Sequence, residues 1–190
     1  MTDKDILSTF ERTGAILKGH FLLTSGRHSD TYMQCARVFA YPSESQKLCG
    51  ALAAKMAEMR ADYVVAPAVG GILIGYEVAR QLKLPNFFAE RENGEFVLRR
   101  GFELPKGSKV IVVEDVVTTG GSVKEVIDLV KKLGSDPVCV GCVVDRSGGK
   151  VDFGVPLYSL LTLEVKSYDA EDCPLCVDGS KPYKPGSRGS

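Results

Sequence analysis

The chain has 190 residues, with 24 Lys and Arg against 24 Asp and Glu, so its formal charge is zero. Hydrophobic residues make up 44% and charged residues 25%. That balance excludes disordered, collagen-like and coiled-coil classes, and it allows a single globular domain that buries roughly 70% of its unfolded surface. With no basic surplus, a partner bound through its phosphate backbone is not expected, and nucleic acid is set aside.

From the N-terminus, residues 2–17 are expected to form an amphipathic helix. Thr2 and Asp5 suit a capping box, and Ile6, Phe10 and Leu17 fall near one face. His20 to Arg27 is expected to run as a short strand into a Ser-Gly turn, and Asp30 to Phe39 to stay extended. Ser43 is expected to cap a helix over 44–60 with Leu48, Leu52, Met56 and Met59 as its apolar stripe. A strand-loop-helix rhythm follows. Strands are expected at Tyr63–Ala66, Phe87–Ala89, Val110–Val113, Pro137–Val144 and Leu157–Leu163, and helices at Ile72–Leu82 and Ser122–Leu133. Asn93-Gly94, inside RENGEFVLRRG, marks a hairpin or a mobile loop. Short β-branched strands alternating with helices imply an α/β fold with a mostly parallel central sheet flanked by helices. Ligands in such sheets bind at the carboxyl ends of the strands.

No apolar run approaches the ~18 residues of a membrane span, so no membrane partner is expected. The first 17 residues carry charges where a signal peptide needs an apolar core. A cytoplasmic location is expected, and with it reduced cysteines.

One segment carries a chemical signature: VIVVEDVVTTGGS, from Val110 to Ser122. A buried strand ends in two adjacent carboxylates, Glu114 and Asp115. Val116 and Val117 lead to Thr118, Thr119, Gly120, Gly121 and Ser122, which open into a helix. Glycines let a backbone approach a ligand closely, and successive amides with a helix N-terminus make an anion site. The carboxylates would repel a phosphate they faced. They fit instead as acceptors for sugar hydroxyls, or as outer partners of a bound divalent cation. Phosphate at one end and a diol at the other describe a ribose 5-phosphate. The lysine of a P-loop and the spaced glycines of a Rossmann turn are both missing.

At these residues the sequence resembles the type I phosphoribosyltransferases, whose motif binds 5-phosphoribosyl 1-pyrophosphate (PRPP). HFLLTSGRHSDTY, PAVGGILIGYEVAR, VVDRSGG and the DCPLC…KPGSR tail narrow the resemblance to the orotate phosphoribosyltransferases, over nearly the whole chain. The resemblance implies one phosphoribosyltransferase domain over 1–190. Segments 1–40 and 146–190 would contribute a small hood, and 179–190 would be a tail. It further implies Mg²⁺ as cofactor, PRPP and orotate as substrates, and a homodimer with shared active sites. By motif position, Glu114 through Ser122 would hold PRPP. Thr118, Arg146, Ser25 and Gly26 would meet orotate, with Arg146 pairing the carboxylate bidentately. A surface pair with Asp145 is the plainer reading of Arg146. Breaking the bond to pyrophosphate builds oxocarbenium character on the ribose, so positioning and electrostatics would dominate catalysis. A purine phosphoribosyltransferase and a non-catalytic PRPP-sensing regulator are the alternatives. A purine has no carboxylate for Arg146, and a regulator would need a basic face.

The sequence also departs from the family pattern. Thr24 stands where many relatives have Lys, and Ala68-Val69-Gly70-Gly71 contains no Lys. Arg91, Arg99 and Arg100 are the candidates to meet pyrophosphate in their place, from a loop that in the family reaches the neighbouring subunit. Cys139-x-x-Cys142 and Cys173-x-x-Cys176 resemble two halves of a zinc site, but the first pair lies in a predicted strand with its thiols on opposite faces. Cys173 and Cys176, flanking Pro174, keep a metal or redox reading beside the default of packing thiols, and no metal-ligand set is assigned. Of the two histidines, His28 is expected to shape the base pocket rather than move a proton.

Overall fold

The computed structural model describes residues 1–23 and 25–185. Thr24 and the end of the expected tail, 186–190, lie outside the described residues. Helix α1 spans Asp3–Arg12 and opens on the expected capping box. Thr2 Oγ1 accepts from the Asp5 amide at 3.3 Å, and the Asp5 carboxylate accepts from the Thr2 amide at 2.8 Å. The helix is shorter than expected because Gly14, at φ +65°, turns the chain. Leu17 therefore lies in the strand β1, Ile16–Leu22. Strand β2, His28–Met33, pairs with it antiparallel, with Leu22 opposite His28.

The chain does not stay extended to Phe39. Cys35–Ala40 winds into a 3₁₀ helix that buries Cys35 and Val38. Helix α2, Pro42–Met56, starts at a proline in its first turn, and Ser43 makes no cap. Leu48, Leu52 and Met56 are buried as expected, whereas Met59 falls in a separate 3₁₀ turn, Ala57–Met59.

The remaining elements form one sheet with its helices. They are β3 (Tyr63–Pro67), α3 (Gly71–Leu82), β4 (Asn86–Glu92), β5 (Glu95–Leu98), β6 (Lys109–Val117), α4 (Gly121–Lys132), β7 (Asp136–Asp145) and β8 (Leu157–Thr162). The strand order is β5-β4-β3-β6-β7-β8. All neighbours run parallel except β5, which pairs antiparallel with β4 across Asn93-Gly94. Both turn residues have positive φ, 52° and 90°, as a two-residue hairpin turn requires. The segment is thus a formed edge hairpin.

Alternation along the strands feeds two cores. One face packs Ile111, Val113 and Cys139 against α2 and α3 residues including Leu52 and Ile74. The other packs Val110, Val112 and Cys142 with Val123, Val126 and Ile127 of α4. Cys139 and Cys142 do lie on opposite faces, which rules out joint chelation. Among the described residues, no helix is long and apolar enough to cross a membrane.

After β8 the chain returns to the β1–β2 hairpin. The Arg27 guanidinium donates to Ser167 and pairs with Asp169, and Ser29 Oγ donates to the Lys166 carbonyl at 2.8 Å. His28 and Tyr168 exchange backbone bonds, and the Leu22 amide donates to Tyr183. A short helix α5, Pro174–Val177, lies between these attachments.

Candidate active site

The central strand β6 delivers Glu114 and Asp115 to the carboxyl end of the sheet, where the chain leaves for α4. Parallel pairing puts Val116 beside Val144 and Val117 beside Asp145. The carboxylates have local amide partners. The Asp115 amide donates to Glu114 Oε1 at 3.2 Å, and the Val116 amide to Asp115 Oδ1 at 2.8 Å. Among the described ion pairs, none involves either acid. Burial, then repulsion from Asp115, raises the Glu114 carboxyl to about 8. Burial also pushes Asp115 up. The pair therefore keeps a proton at neutral pH until something positive or hydrogen-donating reaches it.

Immediately beyond, Glu114 and residues 116–123 line a cleft of about 80 Å³. Gly120 caps α4 in the left-handed region at φ 76°, and no side chain bonds the helix's first turn. The cleft thus presents first-turn amides and the positive end of the helix, together with the hydroxyls of Thr118, Thr119 and Ser122. Gly120 is required on two counts. A Cβ there would stand 2.7 Å from Val151 Cγ1 and 2.9 Å from Phe153 Cε1, besides the strained φ. Gly120→Ala should cost about 1–3 kcal/mol in stability by overpacking and should weaken anion binding at the loop. Thermal denaturation and phosphate calorimetry on the variant check both.

Opposite the acids runs the loop from β3 to α3. A Cβ on Gly70 would lie 3.6 Å from Asp115 Oδ1, so this loop faces the carboxylate with backbone alone. The Ala68–Val69 peptide is cis.

Arg146 follows β7 and is tied to the loop by its amide, which donates to the Val117 carbonyl at 2.7 Å. The pairing with Asp145 does not occur. Asp145 is buried and accepts from the Ser147 amide (2.8 Å), Ser147 Oγ (2.6 Å) and the Gly149 amide (2.9 Å). It builds the turn that presents Arg146, a role that the Asp-x-Ser-x-Gly spacing signals and that the sequence reading missed. Arg146 Nε is buried without a hydrogen-bond partner. Burial lowers the guanidinium below its usual range, and Cys35 and Tyr32 are near enough to oppose that shift. Cys35, on the 3₁₀ helix, is raised by burial and by Asp115. Cys35 of the 3₁₀ helix and Tyr32 of β2 thus lie near the acids and Arg146.

The other expected residues are placed as follows. Ser25 and Gly26 are exposed in the β1–β2 turn, where the Gly26 amide donates to the Leu23 carbonyl at 2.9 Å. Arg91 pairs with Glu125 of α4 at 2.8 Å and lies over the Phe96 ring. Arg100 grips Glu90 with two bonds of 2.8 Å. Arg99 has the loosest hold, 3.6 Å from Glu92. The expectation for His28 needs correction. Its ring turns to His20 and the C-terminal cysteines, with His20 Nε2 2.9 Å from His28 Nδ1. A larger groove of about 840 Å³ lies between β5 and α4, but Glu95, Glu103, Glu125 and Asp128 line it against Lys132 alone, which disfavours an anionic substrate.

Comparison with known proteins agrees with this geometry. A family model described as a phosphoribosyl transferase domain matches residues 43–175. The chain is 55% identical over 188 residues to an orotate phosphoribosyltransferase of Caldanaerobacter subterraneus, covering 99% of both. It is 56% identical over 186 residues to one of Thermotoga maritima, covering 98% of both. Among solved structures, orotate phosphoribosyltransferase from Aeropyrum pernix superposes with TM-score 0.72 at 28% identity, covering 84% of this chain and 94% of that one. An adenine phosphoribosyltransferase from Saccharomyces cerevisiae, at TM-score 0.63 and 24% identity over 82% of this chain and 99% of its own, shares the fold.

Proposed function

The chain belongs to the orotate phosphoribosyltransferases of the phosphoribosyltransferase family, and from that premise we propose how its residues divide the work. The enzyme moves ribose 5-phosphate from PRPP to N1 of orotate, giving orotidine 5′-phosphate and pyrophosphate in pyrimidine synthesis. In our reading, residues 118–122 bind the 5-phosphate through amides and hydroxyls at the start of α4. Glu114 and Asp115 accept the ribose hydroxyls. Arg146 takes the orotate carboxylate, and Thr118, Ser25 and Gly26 complete the contacts to the base. The single observation that carries the choice of base is the buried, unpartnered Arg146 Nε at the edge of the phosphate loop. A half-buried guanidinium whose Nε has no partner favours an anionic ligand, and of the candidate bases orotate has the carboxylate.

Two adjacent carboxylates with no cation paired to them suit a divalent ion that arrives with PRPP. Mg²⁺ would be held there by Glu114 and Asp115, directly or through water, and would neutralise charge on the departing pyrophosphate. The protein's own share is positioning. Phosphate and base are anchored at opposite ends of the ribose, so the anionic N1 faces C1 without needing a strong general base. Of the three candidate arginines, Arg99 is the most available for pyrophosphate, while Arg91 and Arg100 would have to leave Glu125 and Glu90. The β1–β2 hairpin with the C-terminal segment serves as the hood. A cytoplasmic location follows from the same reading.

A dimer is part of this proposal. Val69, in the loop facing Asp115, and Leu73 and Tyr76, on the first turns of α3, are 83%, 55% and 62% exposed. A second copy of the chain covering this patch would bring its own hairpin to the site. Mixed dimers with Arg99→Ala in one subunit and Arg146→Ala in the other should recover about a quarter to a half of wild-type activity if sites are shared, and none if each chain serves itself.

The deciding experiment is a base panel. Pyrophosphate release is measured with PRPP, Mg²⁺ and orotate, uracil, hypoxanthine, xanthine or adenine. Orotate alone should support turnover. Equal rates with a purine base would overturn the reading.

A further inference from the structure

We propose that His20, His28, Cys173 and Cys176 form a structural zinc site that fastens the C-terminal segment to the β1–β2 hairpin. Their four ligand atoms all lie within 4.8 Å of one another. His20 Nε2 is 2.9 Å from His28 Nδ1, 3.5 Å from Cys173 Sγ and 3.8 Å from Cys176 Sγ, and Cys176 Sγ is 3.3 Å from His28 Nδ1. Tetrahedral zinc with bonds of about 2.0 Å to nitrogen and about 2.3 Å to sulfur separates its ligands by roughly 3.3–3.8 Å. These four separations fall within about half an ångström of the spacing one ion sets, and with the whole group inside 4.8 Å a modest drawing-in of the side chains completes the tetrahedron.

The surroundings fit a closed structural centre. Cys173 is fully buried, and His28 and His20 are only 6% and 9% exposed. His20 Nδ1 lies 2.7 Å from Ser180 Oγ and 3.1 Å from the Ser180 carbonyl. That contact fixes the tautomer with its proton on Nδ1 and frees Nε2 for the metal, the outer bond that metal-bound histidines ordinarily make. The two cysteines enter on a tight turn, with the Cys176 amide donating to the Cys173 carbonyl at 3.0 Å. The histidines come from facing strands through the Leu22–His28 register. Four ligands of two types, with no acid among them, suit zinc rather than Mg²⁺ or Ca²⁺. Binding displaces both thiol protons to solvent, so affinity should climb with pH. The site lies apart from the phosphate loop and is proposed to hold the hood together.

The test uses the full chain grown with zinc and purified without chelator or histidine tag. Elemental analysis should find about one zinc per chain, lost in the Cys173→Ser/Cys176→Ser variant. Stripped wild-type protein titrated with Co²⁺ should show the intense visible bands of a tetrahedral centre and thiolate-to-cobalt charge transfer, a readout that needs no variant to fold. Zinc content below a tenth of stoichiometric with only weak octahedral Co²⁺ bands would overturn the proposal. So would a Cys173–Cys176 disulfide that persists when zinc and reductant are both supplied.

Discussion

Arg146→Met should lower kcat/KM for orotate by about 10²- to 10³-fold while leaving the ligand-free protein as stable as wild type or more so. The two halves of this result have one cause. In the free enzyme the Arg146 guanidinium is partly desolvated, and its Nε has no partner. Burial lowers its affinity for the proton, so the charged side chain costs native stability at every pH at which it stays ionised. A methionine of similar volume removes that cost and keeps the packing. In the complex the same charge meets the substrate carboxylate. Removing one partner of a buried ion pair costs about 3–5 kcal/mol, and for this half-buried guanidinium the lower end of that range, about 3–4 kcal/mol, matches the factor given above. The loss should fall mainly on KM for orotate, because the carboxylate is equally charged before and during the transfer. Steady-state kinetics with thermal denaturation of both proteins checks the pair of outcomes. An unchanged KM would reassign the carboxylate to another cation.

The sequence made the centre of this site legible because its chemistry is contiguous. The strand, the two acids and the phosphate loop follow one another from Val110 to Ser122, and parallel-sheet geometry leaves little choice about where they end. What escaped the sequence is local turn chemistry in three places and strand register in one. The plainer alternative for Arg146, a surface pair with Asp145, does not form, because an Asx turn closes the Asp145 carboxylate onto Ser147 and Gly149. The extended reading of 30–39 is right through Met33 and fails from Cys35, where apolar Cys35 and Val38 bury by local winding. The C-x-x-C of Cys173 and Cys176 was legible, while its histidine counterparts were not. His20 and His28 are eight apart and meet only because a hairpin folds between them. The first helix was overextended because the apolar spacing reaches Leu17, whereas Gly14 ends the helix on backbone grounds.

Glu114→Gln with Asp115→Asn should cut turnover by about 10²- to 10⁴-fold, on the basis of about 1.5–3 kcal/mol for hydrogen bonds to each charged group. The double variant should also remove a pH dependence that wild type shows. In the unfolded chain Glu114 loses its proton near the ordinary range of about 4.3. In the fold, burial and Asp115 hold that proton up to about 8. Between these limits the native state binds more protons than the unfolded state, so ligand-free stability falls as pH rises through the window. The amide pair has no proton to lose, and its melting temperature should lack this component of the slope. Binding draws on the same proton. Ribose hydroxyls and a divalent ion both require ionised acceptors, so PRPP with Mg²⁺ must expel the shared proton near neutral pH. Calorimetry in buffers of different ionisation enthalpy should register that release for wild type and not for the double variant. Binding without proton release in wild type would mean that the acids are already ionised in the free enzyme, and the shared proton would drop out of this account.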